Sequence, residues 1–176
     1  MKIAICQFNP IIGDIKGNKE KILAGYKKGC ENNVDLVVFP ELFLCGYPPL
    51  DLVEKKEFRN ALQIAAEEIA SKTIDVGLIF GSITEDEDDN VGTNIYNSAL
   101  LCYNGEIKFV QHKTLIPNYD VFDEVRYFES AKTVEVIEFK NEILGISICE
   151  DIWNDADYWK HRRYPLDPIQ HLYEKG

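Results

Sequence analysis

Residues 35–41 read Asp-Leu-Val-Val-Phe-Pro-Glu, an apolar run that stops at a proline and is followed by a carboxylate. A continuous apolar run this short is typical of a strand that is buried on both faces. Residues 19–31, just before it, carry apolar side chains at a rough helical spacing, with Asn18 as the predicted N-cap. This order of helix and buried strand indicates an α/β architecture.

The same order recurs in the next part of the chain. Five apolar side chains keep a helical spacing, and they are Phe58, Ala61, Leu62, Ala65 and Ile69. Residues 76–83 then form a second predicted buried strand. The repetition supports the α/β assignment.

The middle of the chain is rich in strands that are expected to pair as hairpins. Asn104-Gly105 is the clearest turn signal, and Lys140-Asn141 marks a second turn. The predicted hairpin strands are residues 96–102, 106–112, 134–139 and 143–149. The acidic run at residues 85–89 is interpreted as an exposed loop.

The last residues indicate one more amphipathic helix. Residues 168–175 place Ile169, Leu172 and Tyr173 on one predicted apolar face. In both earlier units a helix leads into a buried strand, whereas the sequence here stops at Gly176. We therefore expect the α/β domain to be incomplete at its C-terminus.

Length and composition indicate one globular domain. The chain has 176 residues, which suits a single domain over residues 1–176. Hydrophobic residues make up 45% and charged residues 28%, which argues against a disordered, collagen-like or coiled-coil chain. No apolar run approaches the roughly 18 residues that a membrane span needs. A membrane is therefore not an expected partner.

The charge excludes several kinds of partner. Nineteen Lys and Arg residues against 30 Asp and Glu residues give a net charge of −11. Such a field repels nucleic acids and anionic membranes, so neither is expected to bind. The basic segment at residues 160–163 is the exception and is interpreted as a solvated loop or helix end. The five cysteines are odd in number and lack CxxC spacing, which predicts a reduced, cytoplasmic compartment.

Three polar residues each follow an apolar strand in the predicted structure, and they are Glu41, Lys113 and Cys149. Ligands of α/β sheets bind at the carboxyl ends of strands. A carboxylate, an ammonium and a thiol brought together there suit covalent acyl transfer. The carboxylate would take the thiol proton, and the ammonium would stabilise the oxyanion.

Other chemistries find little support in the sequence. The motifs GxSxG, GxGxxG and HExxH and the P-loop are absent, and the three histidines lack metal-ligand spacing, so no metal is expected. A Cys-His protease that pairs Cys149 with His112 or His161 would leave the other two polar residues without roles. Cys45 lies close to Glu41 in sequence and stays open as a second thiol candidate.

Three ordered motifs resemble the carbon–nitrogen hydrolase (nitrilase) superfamily. They are residues 39–42 (Phe-Pro-Glu-Leu), residues 113–117 (Lys-Thr-Leu-Ile-Pro) and residues 148–153 (Ile-Cys-Glu-Asp-Ile-Trp). The order Glu, Lys, Cys matches the catalytic triad of that superfamily. The resemblance spans nearly the whole chain and implies a nitrilase-like αββα sandwich, which is incomplete at the C-terminus here.

Two more segments are similar to one group within the superfamily, the glutaminase domains of glutamine-dependent NAD synthetases. Residues 46–52 resemble the loop after the catalytic glutamate, and residues 115–128 resemble a second segment of that group. Leu50 and Ile116 depart from the usual residues, but neither belongs to the triad.

The resemblance implies a role for each residue of the triad. Cys149 would attack the side-chain amide of glutamine, Glu41 would act as general base, and Lys113 would hold the oxyanion. Residues implied to support the site, or to border the glutamine pocket or ammonia route, are Glu124, Tyr47 and Tyr119. For the two tyrosines, simple packing on loops stays an equal alternative.

The resemblance also implies partners. Released ammonia would pass to an ATP-dependent synthetase domain or subunit that amidates deamido-NAD, and ATP and Mg would belong to that missing part. No cofactor is expected in residues 1–176, and a homo-oligomer is expected. Two alternatives stay open: a stand-alone amidase for another small amide, and a non-catalytic fragment that serves in assembly or binding.

Overall fold

A computed structural model describes residues 1–86 and 92–176 of the chain. Five strands form one mixed sheet in sequence order, and they are β1 (Ile3–Ile5), β2 (Leu36–Val38), β3 (Gly77–Glu85), β4 (Ile95–Tyr103) and β5 (Glu106–His112). The first three strands are parallel to one another, and β4 runs antiparallel to both of its neighbours. Strands β2, β3 and β5 therefore end at the same edge of the sheet.

A second sheet contains β6 (Val136–Phe139) and β7 (Glu142–Gly145), which form an antiparallel hairpin. The helices are α1 (Ile15–Glu31), α2 (Lys56–Ala70) and α3 (Pro168–Lys175). Short 3-10 turns occupy Leu50–Glu54, Glu124–Arg126 and Cys149–Ile152. Both predicted hairpins are confirmed.

Two apolar cores define the layers. Side chains of α1 and α2, such as Ile22 and Leu62, pack with one face of the five-stranded sheet. The opposite face packs against the second sheet, where Leu101 and Phe139 share a core. On the outer side of β7, Leu172 of α3 lies close to Gly145. The order of helices, sheet, sheet and helix confirms the predicted nitrilase-like sandwich.

Several local predictions are wrong. Helix α1 begins at Ile15 and is capped by Asp14, whose carboxylate accepts from the N–H of Gly17 at 2.9 Å, so Asn18 is not the N-cap. Glu85 belongs to β3 and pairs with Arg59 instead of lying in a loop, because that arginine reaches over from α2. Residues 87–89 of the acidic run lie outside the described residues.

The predicted apolar face of α3 is also wrong in part. Leu172 is buried, whereas Ile169 and Tyr173 are exposed. Leu172 lies against Gly145 of the second sheet, which accounts for its burial. In the two described ranges, no helix combines the length and the apolarity that crossing a membrane requires.

Asn18 has a structural role that its sequence position did not suggest. Its side chain is fully buried. Its Oδ1 accepts from the N–H of Ile11 at 2.9 Å, and its Nδ2 donates to the carbonyls of Ile11 at 2.8 Å and Leu44 at 3.2 Å. The amide thereby ties the loop after β1 to the loop that follows Glu41.

Replacing Asn18 by alanine is expected to destabilise the fold. The Asn18→Ala variant leaves buried backbone groups unpaired, which should lower the free energy of unfolding by roughly 2 kcal/mol. Urea denaturation measures this loss, with Asn60→Ala, on the exposed surface of α2, as the matched control. Equal stability of the two variants would show that the Asn18 amide does not hold the loops together.

Candidate active site

The edge where β2, β3 and β5 end carries the polar residues that the sequence singled out. Lys113 follows β5 directly, and Glu41 follows β2 after Phe39 and Pro40. Strand β4 begins at this edge because it runs the opposite way, which brings Asn97 between them. The backbone N–H of Lys113 donates to the carbonyl of Asn97 at 2.8 Å.

The ammonium of Lys113 lies between two carboxylates. Its Nζ is 2.7 Å from Oε1 of Glu41 and 2.9 Å and 3.1 Å from the two oxygens of Glu124. The lysine side chain is only 1% exposed. Burial alone would lower the pKa of Lys113, but the charges of the two glutamates outweigh it and raise the pKa. Lys113 therefore stays charged.

Asn97 donates to the same two carboxylates. Its Nδ2 lies 2.7 Å from Oε1 of Glu41 and 3.4 Å from Oε2 of Glu124. The residue is fully buried. Asn97 was not among the residues predicted from the sequence, although an amide within the apolar run of β4 is a usable signal.

The structure places Cys149 in a turn and not, as was predicted, at the end of a strand. Strand β7 ends at Gly145, and Cys149 opens a 3-10 turn with φ of +44°, so it does not close a strand. An extended strand cannot contain this left-handed conformation. The turn leaves Cys149 exposed, unlike the buried Cys45 and Cys102.

The thiol of Cys149 is neutral at rest. Partial burial, and then the negative charge of Glu41 and a hydrogen bond to its side chain, raise the pKa of Cys149 to about 11. The ammonium of Lys113 acts in the opposite direction and lowers it. A neutral thiol beside a carboxylate suits a mechanism in which the proton moves during attack.

Asp151 connects the lysine segment to the cysteine segment. Its Oδ1 accepts from the backbone N–H groups of Thr114 at 3.0 Å and Leu115 at 2.8 Å. Its Oδ2 accepts from the N–H of Ile148 at 3.0 Å. This buried carboxylate therefore holds Lys113 and Cys149 at a fixed separation through their neighbours.

The two predicted tyrosines contact glutamates of the site. The hydroxyl of Tyr47 donates to Oε1 of Glu124 at 3.0 Å. The hydroxyl of Tyr119 donates to the carboxylate of Glu150, at 2.9 Å and 2.8 Å from its oxygens. In each tyrosine, burial first and the adjacent carboxylate second raise the pKa of the hydroxyl.

Glu150, the residue after Cys149, borders a cavity of about 460 Å³ whose lining does not include the cysteine itself. Tyr164 donates to Glu150 at 3.0 Å, and the guanidinium of Arg163 lies 3.9 Å from the centre of the Tyr119 ring. The cavity thus offers a carboxylate, a guanidinium and aromatic faces. A second cavity of about 420 Å³ lies between the two sheets and reaches Glu41 and Cys149.

Of the other sequence candidates, His161 lines the 460 Å³ cavity, whereas Cys45 and His112 have other surroundings. Cys45 is fully buried, and burial raises the pKa of its thiol strongly, so it does not compete as a nucleophile. His112 is stacked on Tyr96, with its Nδ1 2.7 Å from Oγ of Ser98. In the part of the chain that the structure describes, no group of three or more His, Cys, Asp or Glu side chains is arranged to hold a metal ion.

Replacing Glu41 by glutamine should change the ionisation of Cys149 in a defined direction. The Glu41→Gln variant removes a negative charge that raises the thiol pKa, so the pKa should fall from about 11 by roughly 1 unit. The pH dependence of alkylation by iodoacetamide measures the midpoint. Glu57→Gln, on the exposed surface of α2, is the charge-matched control, and Cys149→Ser identifies the labelled thiol. A midpoint that stays in place or rises would contradict this electrostatic account.

Asp151 is expected to contribute to stability as well as to geometry. Its removal in Asp151→Ala leaves three backbone N–H groups without their charged acceptor, which should cost roughly 3 kcal/mol of unfolding free energy. Urea denaturation measures the cost, and Asp157→Ala removes an exposed carboxylate nearby as a control. A loss no larger than that of the control would argue against the clamp.

The sequence profile of the carbon-nitrogen hydrolase family matches residues 2–162. The glutamine-dependent NAD(+) synthetase of Synechocystis sp. is 40% identical over 99% of this chain, and that of Thermotoga maritima is 38% identical over 89%. The matches cover 32% and 27% of those relatives, so this chain spans about a third of their length.

Solved structures show the same fold. The glutamine-dependent NAD+ synthetase of Acinetobacter baumannii, solved with ADP, superposes with a TM-score of 0.84 at 32% identity, over 98% of this chain and 30% of that one. An amidase from Nesterenkonia sp. reaches 0.72 at 21% identity, over 86% of this chain and 56% of that one, which is a likeness of fold. With the family profile matched over most of its length, the chain belongs to the carbon-nitrogen hydrolase family.

Proposed function

We propose that this chain hydrolyses the side-chain amide of glutamine, with Cys149 as nucleophile, Glu41 as general base and Lys113 as oxyanion donor. The observation that carries the proposal is the position of the buried Lys113 ammonium between the carboxylates of Glu41 and Glu124, close enough to the exposed Cys149 thiol to lower its pKa. This set provides an acid–base group, a fixed positive charge and a nucleophile without histidine.

The first half of the reaction forms a thioester. Glu41 accepts the thiol proton while the sulfur of Cys149 bonds to the amide carbon, whose carbonyl electron pair moves to the oxygen. Lysine has three N–H donors. Two of the three contacts of Lys113 go to the same carboxylate, Glu124, so one N–H that serves both oxygens of Glu124 would leave another for the oxyanion. Collapse of this intermediate breaks the C–N bond, and Glu41 returns the proton to the departing nitrogen as ammonia.

The second half releases the acid. Glu41 again acts as base and takes a proton from water, whose oxygen attacks the thioester carbon. The C–S bond then breaks, the sulfur regains the proton, and glutamate leaves. The sum is glutamine plus water giving glutamate plus ammonia, with the thiol restored.

We propose that the cavity lined by Glu150 and Arg163 takes the zwitterionic end of glutamine. Glu150 would meet the α-ammonium, and Arg163 would meet the α-carboxylate. A simple aliphatic amide lacks both charges, so these side chains favour an amino acid. Tyr119 fixes the Glu150 carboxylate through its hydroxyl.

The relatives suggest how the ammonia is used. Both sequence relatives are glutamine-dependent NAD(+) synthetases that extend well beyond the region matched here. We propose that the ammonia passes to a synthetase domain or subunit that amidates deamido-NAD with ATP and Mg. A homo-oligomer in a reducing cytoplasm would suit this role and would keep the catalytic thiol unoxidised.

A substrate panel with a nucleophile variant tests the proposal. The complete protein, as its gene encodes it, should release ammonia from glutamine much faster than from propionamide or asparagine. Cys149→Ser should lower the rate by roughly 10³-fold or more, since the nucleophile is lost. Cys30→Ser makes the same substitution at a half-buried cysteine of α1, is the matched control and should stay close to the parent rate.

Three outcomes would contradict the proposal. Activity on simple amides with none on glutamine would favour a stand-alone amidase. Full glutaminase activity in Cys149→Ser would exclude the thioester mechanism. A folded protein with no amidase activity would favour a role in assembly or binding.

A further inference from the structure

Asn97 is the buried polar side chain of the site that the reaction steps leave without a role. Two donors, Asn97 Nδ2 and Lys113 Nζ, both lie 2.7 Å from the same oxygen of Glu41, Oε1. A carboxylate held by two donors at one oxygen cannot rotate freely. Its other oxygen, Oε2, is then the one that remains to accept a proton.

The orientation of the Asn97 amide satisfies its nitrogen but gives its oxygen no hydrogen bond. Among the described residues, Oδ1 of Asn97 is buried and has no hydrogen-bond partner. An unpaired buried acceptor is costly, and native proteins contain few of them. The reverse orientation would point a carbonyl oxygen at two carboxylates, Glu41 and Glu124. Electrostatics therefore fixes the amide, and its benefit must come from Nδ2.

We infer that Asn97 is a positioning residue that holds Glu41 by Oε1 and so directs Oε2 toward the thiol of Cys149. Lys113 cannot do this alone because its ammonium is shared with Glu124 and can turn about its own axis. The planar amide comes from a rigid strand and adds a second, fixed direction. The activity readout for Asn97 rests on the proposed function, whereas the readout at the thiol does not.

Two variants in the complete protein test the inference. Asn97→Leu keeps a similar side-chain volume without donors, and Asn97→Ser provides a smaller residue in case leucine prevents folding. Ser98→Ala is the matched control, because Ser98 is the next residue of β4, is equally buried, and bonds to His112 instead of the site. Circular dichroism and thermal melting establish that each variant is folded.

The first readout is glutamine hydrolysis. A misdirected base should lower kcat by roughly 30- to 100-fold in Asn97→Leu, within the range that a positioned base contributes. KM should change less than about threefold, since Asn97 does not border the substrate cavity. Ser98→Ala should keep kcat near the parent value. In a Glu41→Gln background, Asn97→Leu should have no further effect, because the two residues act as a unit.

The second readout needs no substrate. When Glu41 is no longer held beside the thiol, its charge raises the Cys149 pKa less, so the midpoint of the iodoacetamide profile should move down by roughly 1 pH unit. A residue with only a structural role would not move this midpoint, and Ser98→Ala should not move it.

The possible outcomes distinguish a failure of the proposed function from a failure of the role inferred for Asn97. If the parent protein does not hydrolyse glutamine, the proposed function fails, and the alkylation midpoint still tests Asn97. If the parent is active and both Asn97 variants keep its kcat and its midpoint, the inference about Asn97 is overturned while the mechanism stands. A drop in kcat that Ser98→Ala reproduces would also overturn it.

Discussion

The ammonium of Lys113, buried between the carboxylates of Glu41 and Glu124, is the interaction on which the site depends. Two carboxylates this close in a low-dielectric setting repel each other unless a cation separates them. Removing the lysine would leave an uncompensated charge pair at the end of the sheet. The same cation lies beside the thiol and lowers its pKa against the opposite effect of Glu41. The positive charge of Lys113 therefore has both a structural and a chemical role.

The fold delivers these groups through the ends of its strands. Strands β2, β3 and β5 run in the same direction and place Glu41 and Lys113 at one edge of the sheet. The antiparallel strand β4 begins at this edge and contributes Asn97, its third residue. Asp151 then links the segment after Lys113 to the segment before Cys149. The thiol is thus positioned by a side chain in the turn that it opens, so the geometry does not require a helix dipole or a metal.

Site residues could be predicted from the sequence where the pattern that marks them lies in the neighbouring residues. Glu41 and Lys113 stand where an apolar run ends, and that boundary is visible along the sequence. The turn at Cys149 was missed because its left-handed backbone depends on Asp151 reaching residues 114 and 115, which are distant in sequence. Asn97 was missed for a similar reason, since its partners come from other strands and loops. The cap at Asp14 was missed because Asn18, four residues later, is also a favoured capping residue, and only its buried bonds to the loop carbonyls of Ile11 and Leu44 show that it has another role.

The central claim is that Cys149, supported by Lys113 and its two carboxylates, forms a thioester with the glutamine side chain. Acid-quenched turnover of the complete protein with glutamine, followed by peptide mass spectrometry, tests it most directly. The account predicts a glutamyl group on the peptide that contains Cys149, and none when Lys113 is replaced by methionine in a protein that still folds. A glutamyl group on another cysteine, or turnover without any glutamyl adduct, would contradict the account.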